Sequence, residues 1–172
     1  MKNFESIDPK RISDNLIHLI ADDWMLVSAG NKNKWNAMTA SWGGMGCIWG
    51  KPSAFIFIRP QRYTLGFLEE NDTFSLCFFG PEQRQALNIA GSRSGRDFDK
   101  MTGLGLTARD IDGTIFYDEA RLVLICKKVY RQDMTPDCFV DDSPIKDFYT
   151  AGDYHRMYIG RIIDCMAADD RI

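Results

Sequence analysis

Short apolar runs, each closed by a turn signal, recur from Trp24 to Cys165, and few of them repeat at helical spacing. This pattern limits the chain more than any other feature. Strands read over Trp24–Ala29, ended by Gly30-Asn31, and over Trp35–Trp42 (WNAMTASW), where Thr and aromatic residues favour extended backbone. Gly43-Gly44 breaks or bends that strand, and Cys47–Trp49 resumes pairing before the turn at Gly50-Lys51-Pro52. Ala54–Arg59 (AFIFIR) is a nearly unbroken apolar run between Pro52 and Pro60, the mark of a buried strand. Further strands read over Thr73–Phe79, Ile111–Tyr117, Ala120–Tyr130 and His155–Cys165, the last broken by Gly160. Helix signals are sparser. Thr64 caps a helix to Glu70, Pro81 and Gly91 bracket Glu82–Ala90, and Ser94 with Asp97 forms a loose capping box for a helix ending at Gly103. Thr135–Ala151 reads as irregular. Strands without regular βαβ alternation imply a mainly β fold, an antiparallel barrel or sandwich with a few peripheral helices.

Size and composition narrow the class. The 172 residues fit one domain spanning 1–172, long enough to bury a core without staples. Hydrophobic residues at 45% and charged residues at 26% exclude disorder, collagen-like repeats and a disulfide scaffold. A formal charge of −3 argues against sequence-blind contact with nucleic acid or an anionic membrane surface. The five cysteines (Cys47, Cys77, Cys126, Cys138, Cys165) are scattered without a CxxC, and Cys77 and Cys126 sit in apolar runs. With only His18 and His155 to assist, a structural zinc site is not expected. Free thiols point to a reducing compartment, the amino terminus has no apolar targeting region, and no stretch is long enough to span a membrane, so a cytoplasmic setting is expected. His18, in the apolar context NLIHLI, reads as structural, and the acidic pairs Asp141-Asp142 and Asp169-Asp170 read as solvated surface.

Two segments suit an anion. Arg59-Pro60-Gln61-Arg62-Tyr63-Thr64 places two guanidinium groups and a hydroxyl at a helix start, and Gly91-Ser92-Arg93-Ser94-Gly95 leads towards Lys100. Surface helix caps use the same residue types. Asn36–Trp42 offers a strand edge with backbone donors and acceptors, plus the soft surface of Met38 and the ring of Trp42, which suits a flat heterocycle such as that of flavin mononucleotide (FMN). A half-buried strand with Thr and Ser facing solvent fits the same letters. Gly103-Leu104-Gly105 lacks the third glycine of a Rossmann fingerprint, so a separate dinucleotide fold is not indicated.

Taken in order, NAMTASW (36–42), KPSAFIFIRPQRYT (51–64), SGRDFDK (94–100) and DYHRMYIGRI (153–162) resemble the flavin reductase-like domain family, most closely its flavoredoxin-like branch. The resemblance runs from Trp24 to Ile163 and implies a homodimeric, FMN-binding, Greek-key split β-barrel. Carried over by position, it implies that Asn36, Met38, Thr39, Ala40, Ser41 and Trp42 line the isoalloxazine and ribityl parts. It implies further that Arg59, Arg62, Tyr63 and Thr64 face the ribityl and phosphate, and that Ser94 and Lys100 complete the phosphate site. Tyr63 fits the core equally well. His155 fits two roles, approaching the flavin face where nicotinamide docks or standing in the barrel wall bonded to backbone. Backbone groups between Thr39 and Ser41 are the expected donors to the N1–C2=O edge of the reduced ring. The implied activity is hydride transfer from NAD(P)H to flavin N5. The alternative is an electron carrier of flavoredoxin type that exchanges electrons with protein partners.

Overall fold

The computed structural model describes residues 2–168. Its main sheet is antiparallel and has eight strands. These are β1 (Phe4–Ser6), β2 (Met25–Asn31), β3 (Lys34–Ala40), β4 (Gly43–Ile48), β5 (Lys51–Ile58), β6 (Thr73–Phe78), β9 (Leu122–Asp133) and β10 (Arg156–Ala168). β7 (Ala108–Ile111) and β8 (Thr114–Tyr117) form a separate hairpin. The helices are short: α1 (Leu16–His18, continuing as a wider turn over Leu19–Asp23), α2 (Thr64–Glu70), α3 (Arg84–Ser92), α4 (Lys100–Gly103) and α5 (Ser143–Phe148).

Strand order forces the shape. Along the path β3-β2-β6-β9-β10-β5-β4, the two end strands are consecutive in the chain and joined only by Ser41 and Trp42. A flat sheet would hold them several strand widths apart, roughly 4.8 Å each. So short a link requires the sheet to curl until its edges meet, which makes a barrel split between β3 and β4. Within it β6, β9 and β10 run side by side while β5, joined to β6 by the long connection through α2, lies beside β10: a Greek key.

Several strands are buried on both faces, which is why their sequences do not alternate cleanly. Met25, Val27 and Ala29 of β2 pack inside the barrel with Met38, Ile56, Ile58, Phe74 and Leu124. Leu26, on the opposite face, packs with Trp35, Leu87, Tyr117 and Val123 beneath α3 and the β7–β8 hairpin. Cys77, Cys126 and Cys165 are buried as small apolar groups.

Some elements differ from their sequence expectation. The strand ends at Ala40, the break falls at Ser41-Trp42, and Gly43-Gly44 already opens β4; a Cβ at Gly43 would lie 2.6 Å from the Phe55 carbonyl oxygen and 2.9 Å from Met25 Cε, so only glycine fits this close approach. Ile111–Tyr117 is half of a hairpin, which turns at Asp112 and Gly113 with φ of 49° and 80°. No helix starts at Ser94. Asp99 caps the short α4 instead, its carboxylate accepting from the Met101 N–H at 2.9 Å. Gly160 bends β10 without ending it, at a register shift where a Cβ would meet the Phe74 ring at 2.5 Å. His18 lies on the surface, with Nδ1 2.9 Å from the Asp22 carboxylate. Asp141 and Asp142 are exposed, and the pair Asp169-Asp170 falls outside the described residues. Among the described residues no helix is long and apolar enough to cross a membrane.

Candidate functional site

Two adjoining cavities, about 340 and 140 Å³, make one cleft along the split. They share Met38, Arg59 and Arg62. Every residue assigned above to a cofactor or to the reaction lines one cavity or both. Asn36, Tyr63, Thr64, Ser94 and Lys100 line the larger; Thr39, Ala40, Ser41, Trp42 and His155 line the smaller. The chain thus brings together segments more than a hundred residues apart at the end of β3, the end of β5 and the start of β10.

The larger cavity is cationic. Arg62 leads into α2 and donates from Nη1 to the Gly91 carbonyl at the end of α3, 2.8 Å away. Lys100, only 5% exposed, donates from Nζ to the carbonyls of Ala37 and Ala90, each at 2.7 Å. Burial, with the Arg62 charge second, lowers the Lys100 pKa to about 8. Arg93 lies over the Phe98 ring at 4.9 Å and Arg96 over the Tyr63 ring at 5.0 Å. Among the described residues no carboxylate pairs with Arg62, Arg93, Arg96 or Lys100. Arg93 and Arg96 are exposed, whereas Arg62 is half-buried and Lys100 buried; burying a cation without a counterion is costly, and an anion beside Arg62 and Lys100 would offset that cost.

Hydroxyls and a tight loop complete this end. The Thr64 hydroxyl is buried and accepts from Asn36 Nδ2 at 2.7 Å, leaving its own proton to donate. The Ser94 Oγ accepts from the Arg96 N–H at 3.2 Å. A Cβ at Gly95 would stand 2.1 Å from Asn36 Oδ1 and 2.8 Å from Tyr63 Cδ1, so glycine lets the 94–96 backbone close over the cavity. Tyr63 lines the cleft and also packs edge-on against Phe67, with centroids 5.2 Å apart.

The smaller cavity is aromatic. Trp42, in the β3–β4 link, packs against His155 at 4.9 Å and edge-on against Phe148 at 5.1 Å. The Thr39 hydroxyl does not reach the cleft freely; it donates to the Leu87 carbonyl and ties β3 to α3. His155 is 7% exposed, and its Nδ1 lies 2.8 Å from the Tyr149 hydroxyl, so its partner is a side chain rather than backbone. Burial, then the Arg59 charge, pulls its pKa down to about 4, so the imidazole is neutral at pH 7.

Arg59 lines both cavities and is also engaged within the protein. Its guanidinium forms an ion pair with Asp153 and donates from Nη2 to the Phe148 carbonyl at 2.9 Å, which commits much of the charge within the protein. Gln61 Nε2 donates to the same Asp153 carboxylate at 2.7 Å. Gln61, Arg93, Arg96 and Phe57 line the cleft without having been assigned a role from sequence. Arg93 lies in the flagged 91–95 segment and Arg96 in the SGRDFDK stretch, whereas nothing marks Phe57 except its strand.

A sequence model of the family described as "Flavin reductase like domain" matches residues 17–172. No curated relative is similar enough in sequence to match. Solved structures resemble the fold. An FMN-binding domain of a flavin reductase-like enzyme from Shewanella baltica superposes with TM-score 0.71 at 18% identity, covering 99% of this chain and 80% of that one. Flavoredoxin from Methanosarcina acetivorans gives 0.71 at 20% identity, covering 96% and 78%. The styrene monooxygenase flavin reductase from Pseudomonas putida gives 0.63 at 13% identity, covering 87% and 80%.

Proposed function

The chain belongs to the flavin reductase-like domain family, and from that premise we propose that its cleft binds FMN and that it works as an NAD(P)H-dependent flavin reductase. One observation carries the reading: Arg62, Arg93, Arg96 and Lys100, which no carboxylate pairs among the described residues, close one end of a cleft whose other end is walled by an extended strand and aromatic rings.

Arg62, Lys100, Thr64 and Ser94 hold the phosphate in this reading, with Arg93 and Arg96 around them. Arg59 and Tyr63 border the ribityl chain, with Arg59 steadied by Asp153. Asn36 and Met38 to Trp42 line the ring. When bound, the flavin supplies the hydride acceptor, its N5, for a donor such as nicotinamide C4. The residues bind, orient and stabilise. Backbone N–H groups between Thr39 and Ser41 would be the donors to the N1–C2=O edge of a bound, reduced ring, a preorganised arrangement that would cost no reorganisation. Trp42 and His155 shape the mouth through which a donor ring enters, with no separate dinucleotide fold needed. The expected assembly is a homodimer in a reducing, cytoplasmic setting.

A flavoredoxin-type electron carrier is the second reading. The exposed Trp42 and Phe148 beside the aromatic mouth favour it, as a rim that a redox protein can cover. Anaerobic mixing of the FMN-loaded protein with NADH and NADPH separates the two. Rapid bleaching of the flavin band near ~450 nm, a property of the cofactor, supports the reductase; lasting colour with either nucleotide supports the carrier.

A further inference from the structure

Tyr149 has no assigned role, yet its side chain is held on several sides behind the cleft. It is 4% exposed, stacks on Tyr154 at 4.8 Å with 21° between planes, and meets Phe139 edge-on at 5.8 Å. The Arg59 guanidinium lies 5.4 Å from its ring and, through Phe148 and Asp153, grips the chain on both sides of it. Gln61 adds a further bond to Asp153, and the Met134 N–H donates to the His155 carbonyl at 2.9 Å. Tyr149 and His155 are therefore fixed relative to each other and to the end of β5.

The direction of their hydrogen bond follows from what each oxygen and nitrogen can do otherwise. If the imidazole Nδ1–H donated, the phenol proton would have only the Met134 sulfur, 3.8 Å away and a weak acceptor. If the phenol donates, its proton meets an imidazole nitrogen, a much stronger acceptor. Nε2 then carries the ring proton. Among the described residues Nε2 has no hydrogen-bond partner and is not sealed from solvent, and His155 lines the cleft.

We propose that Tyr149 is a positioning residue that donates to His155 Nδ1 and so holds the imidazole as its Nε2–H tautomer, with that N–H offered as a fixed donor to the cleft. Resting on the flavin reductase reading, the inference assigns the donor to the carboxamide oxygen of the entering nicotinamide, where it aligns the donor ring without contributing charge.

The test does not depend on catalysis. With only two histidines in the chain, long-range ¹H–¹⁵N spectra of the ¹⁵N-histidine-labelled full chain show two rings, and His18→Gln tells them apart. The expected spectrum has His155 protonated on Nε2, and Tyr149→Phe shifts it to a mixed or Nδ1-protonated population. A His155 ring protonated on Nδ1 in the parent overturns the inference, whether or not the variant folds. An unchanged tautomer in folded Tyr149→Phe overturns it too. In the FMN-loaded protein, Tyr149→Phe is expected to keep FMN affinity within about twofold while the rate of reduction by NAD(P)H falls about tenfold, the size of one neutral hydrogen bond. If the parent fails to bind FMN, the flavin reading fails and the tautomer result still stands on its own. If FMN binds and bleaches while the tautomer is wrong, only the Tyr149 assignment falls.

Discussion

At the scale of single residues, Arg62 and Lys100 carry the sharpest expectations. Arg62 keeps free donors beyond its bond to the Gly91 carbonyl, so Arg62→Ala is expected to weaken FMN binding by about 1.5–3 kcal/mol, the worth of a charge-assisted hydrogen bond. A fluorescence titration showing unchanged affinity contradicts that. Lys100 loses its proton early, near pH 8, because it is buried beside Arg62. FMN affinity is therefore expected to decline as pH rises past about 8, and Lys100→Met is expected to flatten that decline. Parent and variant losing affinity in parallel through the same range would assign the effect elsewhere. These residues were legible because cations and hydroxyls clustered in two short segments. The Arg59–Asp153 pair was not, since its partners lie 94 positions apart and neither segment hints at the other. Tyr149 escaped notice for the same reason: Thr135–Ala151 reads as irregular yet folds α5 (Ser143–Phe148), and the tyrosine at the end of that helix acquires meaning only from the neighbour that the fold gives it.

Among the elements, the 94–96 loop and the β3–β4 link decide the cleft. Gly95→Ala forces the Asn36 carboxamide or the Tyr63 ring to give way, and a side chain pushed off its rotamer costs roughly 0.5–1.5 kcal/mol. The expected result is an FMN affinity lowered by that amount with a thermal midpoint close to the parent's. A large fall in the midpoint with affinity intact would show that the loop supports the barrel rather than the ligand. Strands were readable wherever β-branched and aromatic runs ended at glycine or proline, as at Ala54–Arg59 and Thr73–Phe79. The Gly43-Gly44 pair misled because glycine marks a break and a close approach with the same letter, and only the Phe55 carbonyl beside Gly43 distinguishes them. A similar ambiguity hid α4, where Ser94 and Asp97 have capping spacing but Asp99 makes the cap.

For the whole molecule, acid stability and assembly follow from the same architecture. The folded chain holds His155 at about 4, below the ordinary 6.5 of an unfolded chain. As pH falls from about 6.5 to 4, the unfolded state takes up this proton first, so the folded state loses stability across that window and gains nothing from this group above it. Thermal midpoints of the parent are expected to fall more steeply there than those of His155→Gln; matching slopes would show that other groups govern the loss. Exposed Trp49, Tyr130 and Ile163 leave apolar surface outside the barrel, and sedimentation velocity is expected to give a dimer mass, where a monomer at micromolar concentration would contradict the assembly. The barrel's closure was not readable from strand signals, because pairing order is a long-range property. The family resemblance implied it, and the strand order bears it out, with β3 and β4 as opposite edges joined by Ser41-Trp42. The central claim is that Arg62 and Lys100, which no carboxylate pairs among the described residues, grip the phosphorylated tail of a flavin. Parallel equilibrium titrations with FMN and riboflavin, which differ only in the phosphate, test it most directly. FMN is expected to bind at least about a hundredfold more tightly, roughly 2.7 kcal/mol, and equal affinities, or no binding of either, would contradict the account.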